Sequence, residues 1–362
     1  MKQTGSLKTC ITLAGILILA VTSFQLQTAC LAADTKASEQ APAQVRQEAS
    51  ELLCGFTNAL AYSGFRHGQH PDRGEGAVFP SDENILEDLS ILARHGNFGL
   101  IRLYDSGKNS EDVLRLIRSH KIPMKVLLGA WLSAELYNTN CPWLKDQLPP
   151  KVLDANRIKN QQEIQNAIRL AKEYPEVVVA VNVGNEALVS WTDHLVPVDS
   201  VIAYVRKVKQ AIKQPVTVAD NYDAWLHAGA RLAKELDFIS VHSYPVWEGK
   251  DIGEGLSFTK ANIQAVRNAL PHSRMVITEA GWATVAREFG PRAGEEQQRR
   301  YYKELYQWTT RMNITTFFFE AFDEDWKGDA NDPQGAEKHW GLFTIDRKPK
   351  LAMQALYPDL AK

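Results

Sequence analysis

The sequence predicts a single closed (β/α)8 TIM barrel of the α/β class, and three observations lead to this fold. Short apolar runs alternate with helical patterns from about residue 51 to the end of the chain. The runs are rich in β-branched and aromatic residues and lack polar alternation, which is typical of strands buried on both faces of a parallel sheet. No glycine-rich phosphate turn follows an early strand, so a doubly wound open sheet, the alternative, is disfavoured.

The predicted strands are eight runs of similar length. They lie at 52–59, 98–105, 123–131, 177–186, 214–220, 237–245, 274–282 and 314–322.

The predicted helices lie between the strands, and each has one apolar face. They lie at 81–96, 110–121, 160–175, 198–213, 225–236, 258–270 and 294–312, of which 225–236 has the weakest pattern. In the third, Asn160 is expected to cap the N-terminus, with Glu163 completing a capping box. Eight strand-then-helix units with right-handed crossovers would close the sheet on itself.

The N-terminus is predicted to be an export signal. Lys2 and Lys8 flank a short apolar core, and small residues around 29–33 suit cleavage. We expect a signal peptide at 1–33, a polar linker at 34–50 and the catalytic barrel at 51–362, with the protein periplasmic or secreted. An uncleaved leader or a lipid on Cys30 would instead tether the protein to a membrane, and both alternatives stay open.

Composition narrows the classes of partner. Of 362 residues, 44% are hydrophobic and 23% charged, as in soluble globular proteins, so a sizeable core is expected. The net charge of −2 gives no electrostatic reason to expect nucleic acid or an anionic membrane as partner, and we expect a monomer. Outside the leader, Cys54 and Cys141 are either separate thiols or a disulfide.

The predicted strands end in carboxylates and aromatic rings, and functional groups of a (β/α)8 barrel collect at these C-terminal ends. The residues of interest are Arg102, Tyr104, Asn185, Glu186, Tyr244, Glu279, Trp282, Glu320, Glu324, Trp326 and Lys327. His242 is expected to be a core histidine. Because no histidine pair has metal-ligand spacing such as HExxH, neither a metal nor another cofactor is expected.

This residue set suits carbohydrate chemistry. Sugar rings stack their C–H faces on tryptophan and tyrosine, and their hydroxyls bond to amides and charged groups. Cleavage of a glycosidic bond needs one carboxylic acid to protonate the leaving oxygen and a second carboxylate to attack carbon or activate water. Strands four and seven lie on opposite sides of an eight-stranded ring, so Glu186 and Glu279 can converge across its mouth.

Four motifs make the resemblance specific. "VGNE" at 183–186 and "TEAGW" at 278–282 resemble the acid/base and nucleophile motifs of family 17 glycoside hydrolases, which are retaining β-1,3-glucanases and glucanosyltransferases. "IRLYD" on strand two and "FFFEAFDEDWK" on strand eight are similar to the same family. The resemblance covers roughly 51–357.

The resemblance implies roles for individual residues. Glu186 would be the proton donor and later the general base, held protonated by burial and by the nearby negative charge of Glu279. Glu279 would be the nucleophile, kept ionised by Arg102 and oriented by Tyr244. Asn185 would bond the sugar 2-hydroxyl.

The resemblance also implies a group of substrate-binding residues. Binding or support of the acids is expected of Glu324, Lys327 and Glu337, and stacking of Tyr104, Trp282 and Trp326. Glu320 is expected either in the cleft or in the barrel wall.

The expected activity is hydrolysis of β-1,3-glucan as a glucan endo-1,3-β-glucosidase. The alternative is a β-1,3-glucanosyltransferase, since the same apparatus serves both reactions. A non-catalytic glucan-binding protein is less favoured because both carboxylates are intact. A retaining enzyme should hold its two carboxyl groups about 5–5.5 Å apart.

Overall fold

The computed structural model describes residues 44–361 apart from 73, 75 and 145. Its strands are β1 (Asn58–Ala61), β2 (Leu100–Arg102), β3 (Lys125–Ala130), β4 (Val178–Asn185), β5 (Val216–Asn221), β6 (Ile239–His242), β7 (Met275–Gly281) and β8 (Thr316–Phe319). They are all parallel and close into a barrel in chain order. The predicted fold class is confirmed.

Helices cover the outside of the barrel. They are α1 (Asp82–Ala93), α2 (Lys108–Ser119), α3 (Pro150–Glu173), α4 (Val198–Ala211), α5 (Tyr222–Leu232), α6 (Ile252–Ala269) and α7 (Glu295–Met312), with short 3-10 turns at Ala49–Glu51, Leu53–Gly55, Arg94–Gly96, Ala233–Glu235, Gly290–Arg292 and Ala336–Lys338. Within the described residues no α-helix follows β8, so the expected eighth helix is replaced by a long loop and turns. None of the described helices combines the length and apolar character needed to cross a bilayer.

The third helix starts earlier than its capping pattern predicted. It begins at Pro150, because proline suits the first position of a helix. Asn160 is therefore buried inside α3, where it accepts a bond from the amide of Ser133 at 2.7 Å. Glu163 is not a capping residue either, and accepts from the amides of Ser106 at 2.6 Å and Trp131 at 3.1 Å. Both side chains tie α3 to the loops that follow β2 and β3.

The N-terminal boundary also differs from the expectation. The first strand begins at Asn58 rather than Leu52, and the preceding turn leaves Cys54 exposed at a positive φ of 52°. Cys54 and Cys141 are separate thiols. Gln47, inside the segment predicted as linker, is buried and pairs with both the amide (2.6 Å) and the carbonyl (2.9 Å) of Met275. The predicted signal peptide, the first part of the linker and Cys30 lie outside the described residues.

The apolar core has two parts. The larger lies between the barrel wall and the helices. The smaller fills the barrel interior and includes Leu100, Leu127, Phe238 and Phe317. Because these apolar side chains fill the lower part of the barrel, the polar side chains lie at its mouth.

Irregular strand pairing aims the residues at that mouth. The register shifts between Asn182 and Asn185 on β4 and between Val241 and His242 on β6. Such irregularities bend a strand and redirect its side chains, and they are common beside active sites.

Candidate active site

Glu186 follows β4 directly and turns into the mouth of the barrel. Gly184 has φ 83°, and Glu186 itself has φ 45°, a left-handed conformation that a residue with a side chain seldom adopts. The amide of Glu186 stays bonded to the carbonyl of Ala219 on β5 at 2.9 Å. The side chain of Glu186 is 27% exposed, so a ligand in the mouth can reach it.

Glu279 lies on β7 and accepts hydrogen bonds from three residues, which lie at the end of β2 and in the loops after β2 and β6. Its Oε1 accepts from Arg102 Nη1 at 2.7 Å and the Tyr104 hydroxyl at 3.0 Å, and its Oε2 accepts from the Tyr244 hydroxyl at 2.6 Å. Its side chain is only 7% exposed. The expected neighbours Arg102 and Tyr244 are therefore in place.

These contacts decide the charge of Glu279. Burial raises its pKa, but His242, Arg102 and the hydroxyls of Tyr244 and Tyr104 together lower the pKa more, and it ends below the ordinary value. Burial raises the pKa of Tyr104 and of Tyr244 well above the ordinary tyrosine value, so both hydroxyls keep their protons and donate. Tyr104 thus bonds the acid, and the guanidinium of Arg102 lies over its ring, 4.6 Å from the centroid.

His242 lies between the two acids, which the sequence did not predict. Its Nδ1 lies 3.0 Å from Glu186 Oε1 and 3.5 Å from Glu279 Oε2, and its Nε2 lies 3.3 Å from Arg102 Nη1. Nδ1 is therefore the ring nitrogen that faces both carboxyl groups, and Nε2 faces the guanidinium of Arg102. The sequence did contain a signal for this position. Residues two apart on a strand share one face, and His242 precedes Tyr244 by two, so both side chains are expected on the same face.

Glu186, His242 and Glu279 are also close enough together to consider a metal site, since one ligand atom of each lies within 4.8 Å of the others. The chemistry opposes it. A metal ion bound to Nδ1 would face the guanidinium of Arg102, whose Nη1 lies 3.3 Å from Nε2 of the same ring, and the two positive charges would repel. Arg102 also occupies Glu279 Oε1 with a positive charge. The arrangement suits two carboxyl groups acting on a ligand between them.

Asn185 connects the two sides of the site. Its Oδ1 accepts from Arg102 Nη2 at 2.5 Å, and its main-chain carbonyl lies 2.7 Å from Nε2 of His194. Because Oδ1 is occupied by Arg102, the side-chain amide nitrogen is the group that faces a ligand's hydroxyl as a donor.

Glu320 and Glu324 lie in the wall of the cleft, which is one of the two places expected for Glu320. Both are buried, with side chains 2% and 1% exposed, and both pair with Lys327, at 2.5 Å and 2.9 Å. Glu324 also accepts from the Ser63 hydroxyl at 2.6 Å and the Phe65 amide at 3.0 Å. The two acids thus support the cleft wall by joining the loops after β1 and β8, because side chains this deeply buried cannot reach a sugar.

Lys327 and Glu337 lie nearer the surface of that wall. Burial lowers the pKa of Lys327, but the carboxylates of Glu320 and Glu324 raise it more, so the amine stays charged. Burial raises the pKa of Glu337, and repulsion from Glu186 and Glu279 adds to this against the attraction of Lys327. Glu337 is half-buried and within electrostatic reach of both acids.

The tryptophans divide into core and cleft residues. The prediction that Trp282 stacks on sugar is wrong, because its ring is fully buried against Tyr301 and its Nε1 donates to the Arg292 carbonyl at 2.8 Å. Trp326 is half-buried and packs edge-on against Phe65, with ring centroids 5.8 Å apart.

Trp247 is a cleft residue that sequence reasoning missed. It lies in the loop after β6, is 48% exposed, and packs near the buried Trp340, which in turn contacts Tyr244 with ring centroids 5.2 Å apart. A continuous line of aromatic rings therefore leads from the residue that holds Glu279 to the rim. Trp247 follows Tyr244 by three residues. A tryptophan this close to a strand end was the signal in the sequence that could have identified it as a cleft residue.

Comparison with known proteins identifies close architectural relatives. The profile of the BtgE/BtgC glycoside hydrolase domain matches residues 59–341. The btgC protein of Aspergillus niger, named for a glucan endo-1,3-beta-glucosidase, is 27% identical over 297 residues, which are 75% of this chain and 40% of the relative. A glucan 1,3-beta-glucosidase of Arthroderma benhamiae is 26% identical over 282 residues, 73% of this chain and 82% of that one.

Among solved structures, an endo-laminarinase from Formosa superposes with a TM-score of 0.69 at 25% identity, covering 86% of this chain and 87% of the other. The chain therefore spans about 40% of the length of the Aspergillus niger relative but most of the length of the laminarinase.

Proposed function

Because this chain belongs to the BtgE/BtgC glycoside hydrolase domain family, we propose that it cleaves β-1,3-glucan with Glu186 and Glu279. Three similar proteins carry names that refer to β-1,3-glucan or laminarin. The mouth of this barrel offers the matching chemistry, namely two close carboxyl groups among exposed aromatic rings.

A retaining double displacement is the mechanism we propose, and one observation carries it. Carboxyl oxygens of Glu186 and Glu279 lie within 4.8 Å of each other. Retaining glycosidases hold their acids about 5–5.5 Å apart, whereas inverting enzymes need about 6.5–9.5 Å to place a water between acid and sugar. The observed spacing leaves room for a sugar carbon but not for that water.

In the first step, a Glu279 oxygen bonds to the anomeric carbon while the bond from that carbon to the leaving oxygen breaks. Glu186 gives its proton to the leaving oxygen. In the second step, Glu186 takes a proton from the incoming hydroxyl, whose oxygen attacks the anomeric carbon and releases the Glu279 carboxylate. The amide nitrogen of Asn185 is positioned as donor to the sugar 2-hydroxyl.

We further assign the chain to family 17 of the glycoside hydrolases. The support is the order of the motifs at the ends of β2, β4, β7 and β8, together with the contacts of Arg102 and Tyr244 to Glu279. Hydrolysis as an endo-glucosidase is the proposed reaction. Transfer to a second glucan chain uses the same two steps with a sugar hydroxyl in place of water.

Aromatic rings around the mouth would bind the glucan on both sides of the acids. Trp131 lies at the end of β3, Trp247 after β6 and Trp326 after β8, and all three are at least partly exposed. Lys327 can donate to sugar hydroxyls beside Trp326.

The test is to incubate the purified protein with a β-1,3-gluco-oligosaccharide of defined length and to follow product masses. Shorter products alone indicate hydrolysis, and products longer than the substrate indicate transfer. Proton NMR of the first product formed reads the anomeric configuration, which must be β for a retaining enzyme. No turnover by wild type, or turnover equal to wild type in Glu279→Gln, would refute the proposed function.

We also propose that the protein is exported and that it is a monomer. Export depends on the leader at 1–33. Intact-mass measurement of the protein recovered from the native host distinguishes a cleaved leader from an uncleaved or lipid-modified N-terminus.

A further inference from the structure

His194 lies in the loop between β4 and α4, and its ring is bound on three sides. Nε2 lies 2.7 Å from the Asn185 carbonyl oxygen. Nδ1 lies 2.6 Å from Asp193 Oδ1 and 3.1 Å from the Thr192 hydroxyl. The face of the ring packs on Trp131, with centroids 4.7 Å apart and planes 34° apart.

The partners of His194 fix the direction of its bond to the main chain. A carbonyl oxygen can only accept, so Nε2 carries a hydrogen and donates to Asn185. On the other side of the ring, Asp193 and Thr192 hold Nδ1, and the bond with His194 lowers the pKa of Asp193 below its ordinary value. The ring is therefore held at both nitrogens and packs on Trp131.

The loop that carries His194 is itself fixed. Asn138 donates to the carbonyls of Ser190 at 2.8 Å and Thr192 at 2.7 Å, and the amide of Val196 bonds to the Ala187 carbonyl at 2.9 Å. A residue on such a closed and anchored loop can hold another part of the chain in place.

Asn185, which His194 holds, is the residue immediately before Glu186. With the Asn185 carbonyl bound by His194 and the Glu186 amide bound to the Ala219 carbonyl at 2.9 Å, the Asn185–Glu186 peptide is held from both ends. This peptide leads into the left-handed conformation of Glu186 at φ 45°, which costs energy and persists only where the surrounding structure enforces it.

We propose that His194, held by Asp193 and Trp131, is a positioning residue that donates from Nε2 to the Asn185–Glu186 peptide and so aims the proton donor at the leaving oxygen. The inference rests on the proposed function, because it concerns the proton transfer made by Glu186. His194 touches neither the sugar nor the acids and acts only through the main chain.

The test compares two substrates that differ in their need for a proton. The first is a β-1,3-gluco-oligosaccharide, whose leaving hydroxyl must be protonated. The second is the 2,4-dinitrophenyl glycoside of a β-1,3-oligosaccharide, whose leaving group departs without a proton. His194→Phe removes the Nε2 donor and keeps an aromatic ring on Trp131, whereas His194→Gln keeps an N–H donor.

For His194→Phe, we expect kcat/KM on the oligosaccharide to fall roughly 10- to 100-fold, as for small misplacements of a catalytic group. On the dinitrophenyl substrate, kcat/KM should stay within about threefold of wild type, since no proton is needed. His194→Gln should recover part of the loss. His227→Phe, which changes a histidine side chain 76% exposed on α5, should leave both values unchanged.

Equal losses on the two substrates, or no loss on either, would overturn the proposal. Nitrogen-15 NMR of histidine-labelled wild type at neutral pH gives a second readout, in which Nε2 of His194 should carry a hydrogen. The assignment uses His194→Gln, so it does not require His194→Phe to fold. A His194 without a hydrogen on Nε2 would also overturn the proposal. Inactivity of wild type on both substrates would instead refute the proposed function and leave the NMR result to decide the state of His194.

Discussion

Tyr244→Phe tests how the nucleophile is kept ionised and aimed. The hydroxyl of Tyr244 donates to Glu279 Oε2 at 2.6 Å. Its ring packs against Trp340 and Phe319 at centroid distances of 5.2 Å and 5.8 Å. Phenylalanine preserves those ring contacts and removes only the hydrogen bond.

The size of the effect follows from the bond that is lost. A hydrogen bond to a charged group contributes about 1.5–3 kcal/mol. At about 1.4 kcal/mol for each factor of ten, kcat/KM at the optimum pH should fall roughly 10- to 150-fold.

The pH dependence has a defined sign. Glu279 must be ionised to attack, and the Tyr244 hydroxyl is one of the groups that hold its pKa below the ordinary value. Without this hydroxyl the pKa rises, so the acid limb of the kcat/KM profile moves to higher pH and activity at low pH is lost first. The assay is kcat/KM on a β-1,3-oligosaccharide across the pH range.

Tyr204→Phe is a matched control. The Tyr204 hydroxyl also donates to a buried carboxylate, Glu135 Oε1, at 2.6 Å, but on the far side of the barrel wall from the acids. This variant should lose stability and keep the wild-type pH profile. If Tyr244→Phe keeps the wild-type acid limb, or if both variants shift it equally, the reasoning about Glu279 is refuted.

Three further predictions concern proton transfer, packing and the buried cation. Glu186→Gln should lower kcat/KM on the oligosaccharide by roughly 10²- to 10⁴-fold and far less on the dinitrophenyl glycoside, and steady-state kinetics showing equal losses would contradict its role. Trp282→Ala should cost about 3–5 kcal/mol in urea unfolding while KM stays unchanged, and a raised KM at wild-type stability would restore Trp282 to the cleft. Lys327→Met should cost about 3–5 kcal/mol at neutral pH, because it leaves buried acids without their cation. Burial already raises the pKa of Glu320 well above its ordinary value, so the Lys327→Met deficit should shrink as pH falls through that pKa, and thermal melts with a deficit constant across pH would contradict this.

The fold and the proximity of Glu186 and Glu279 could be predicted because they depend on local patterns. Two-face burial gives each strand a continuous apolar run, and chain-order closure brings the strand ends to one mouth. Glu186 and Glu279 end strands on opposite sides of an eight-stranded ring, so their convergence follows from counting strands. The contact of Arg102 with Glu279 was expected from the resemblance to family 17, and the structure has this contact at 2.7 Å.

The errors arose where the position of a residue along the chain suggested one role and its contacts in the folded barrel give it another. Asn160 and Glu163 have the spacing of a capping box, yet they bind the loops after β2 and β3 from the middle of α3. Trp282 follows the strand of the nucleophile, but the strand ends at Gly281 and the next residue turns outward under the helices.

The sequence by itself determined the barrel, the strand ends at its mouth and the pairing of two acids across it, because these depend on strand periodicity and strand order. Only the tertiary structure decided that His242 lies between the acids, that Glu320 and Glu324 pair with Lys327 in the wall of the cleft, and that His194 binds the carbonyl before Glu186. The physical reason is that strand irregularities and long loops set side-chain directions, and those directions depend on contacts between segments far apart in the chain.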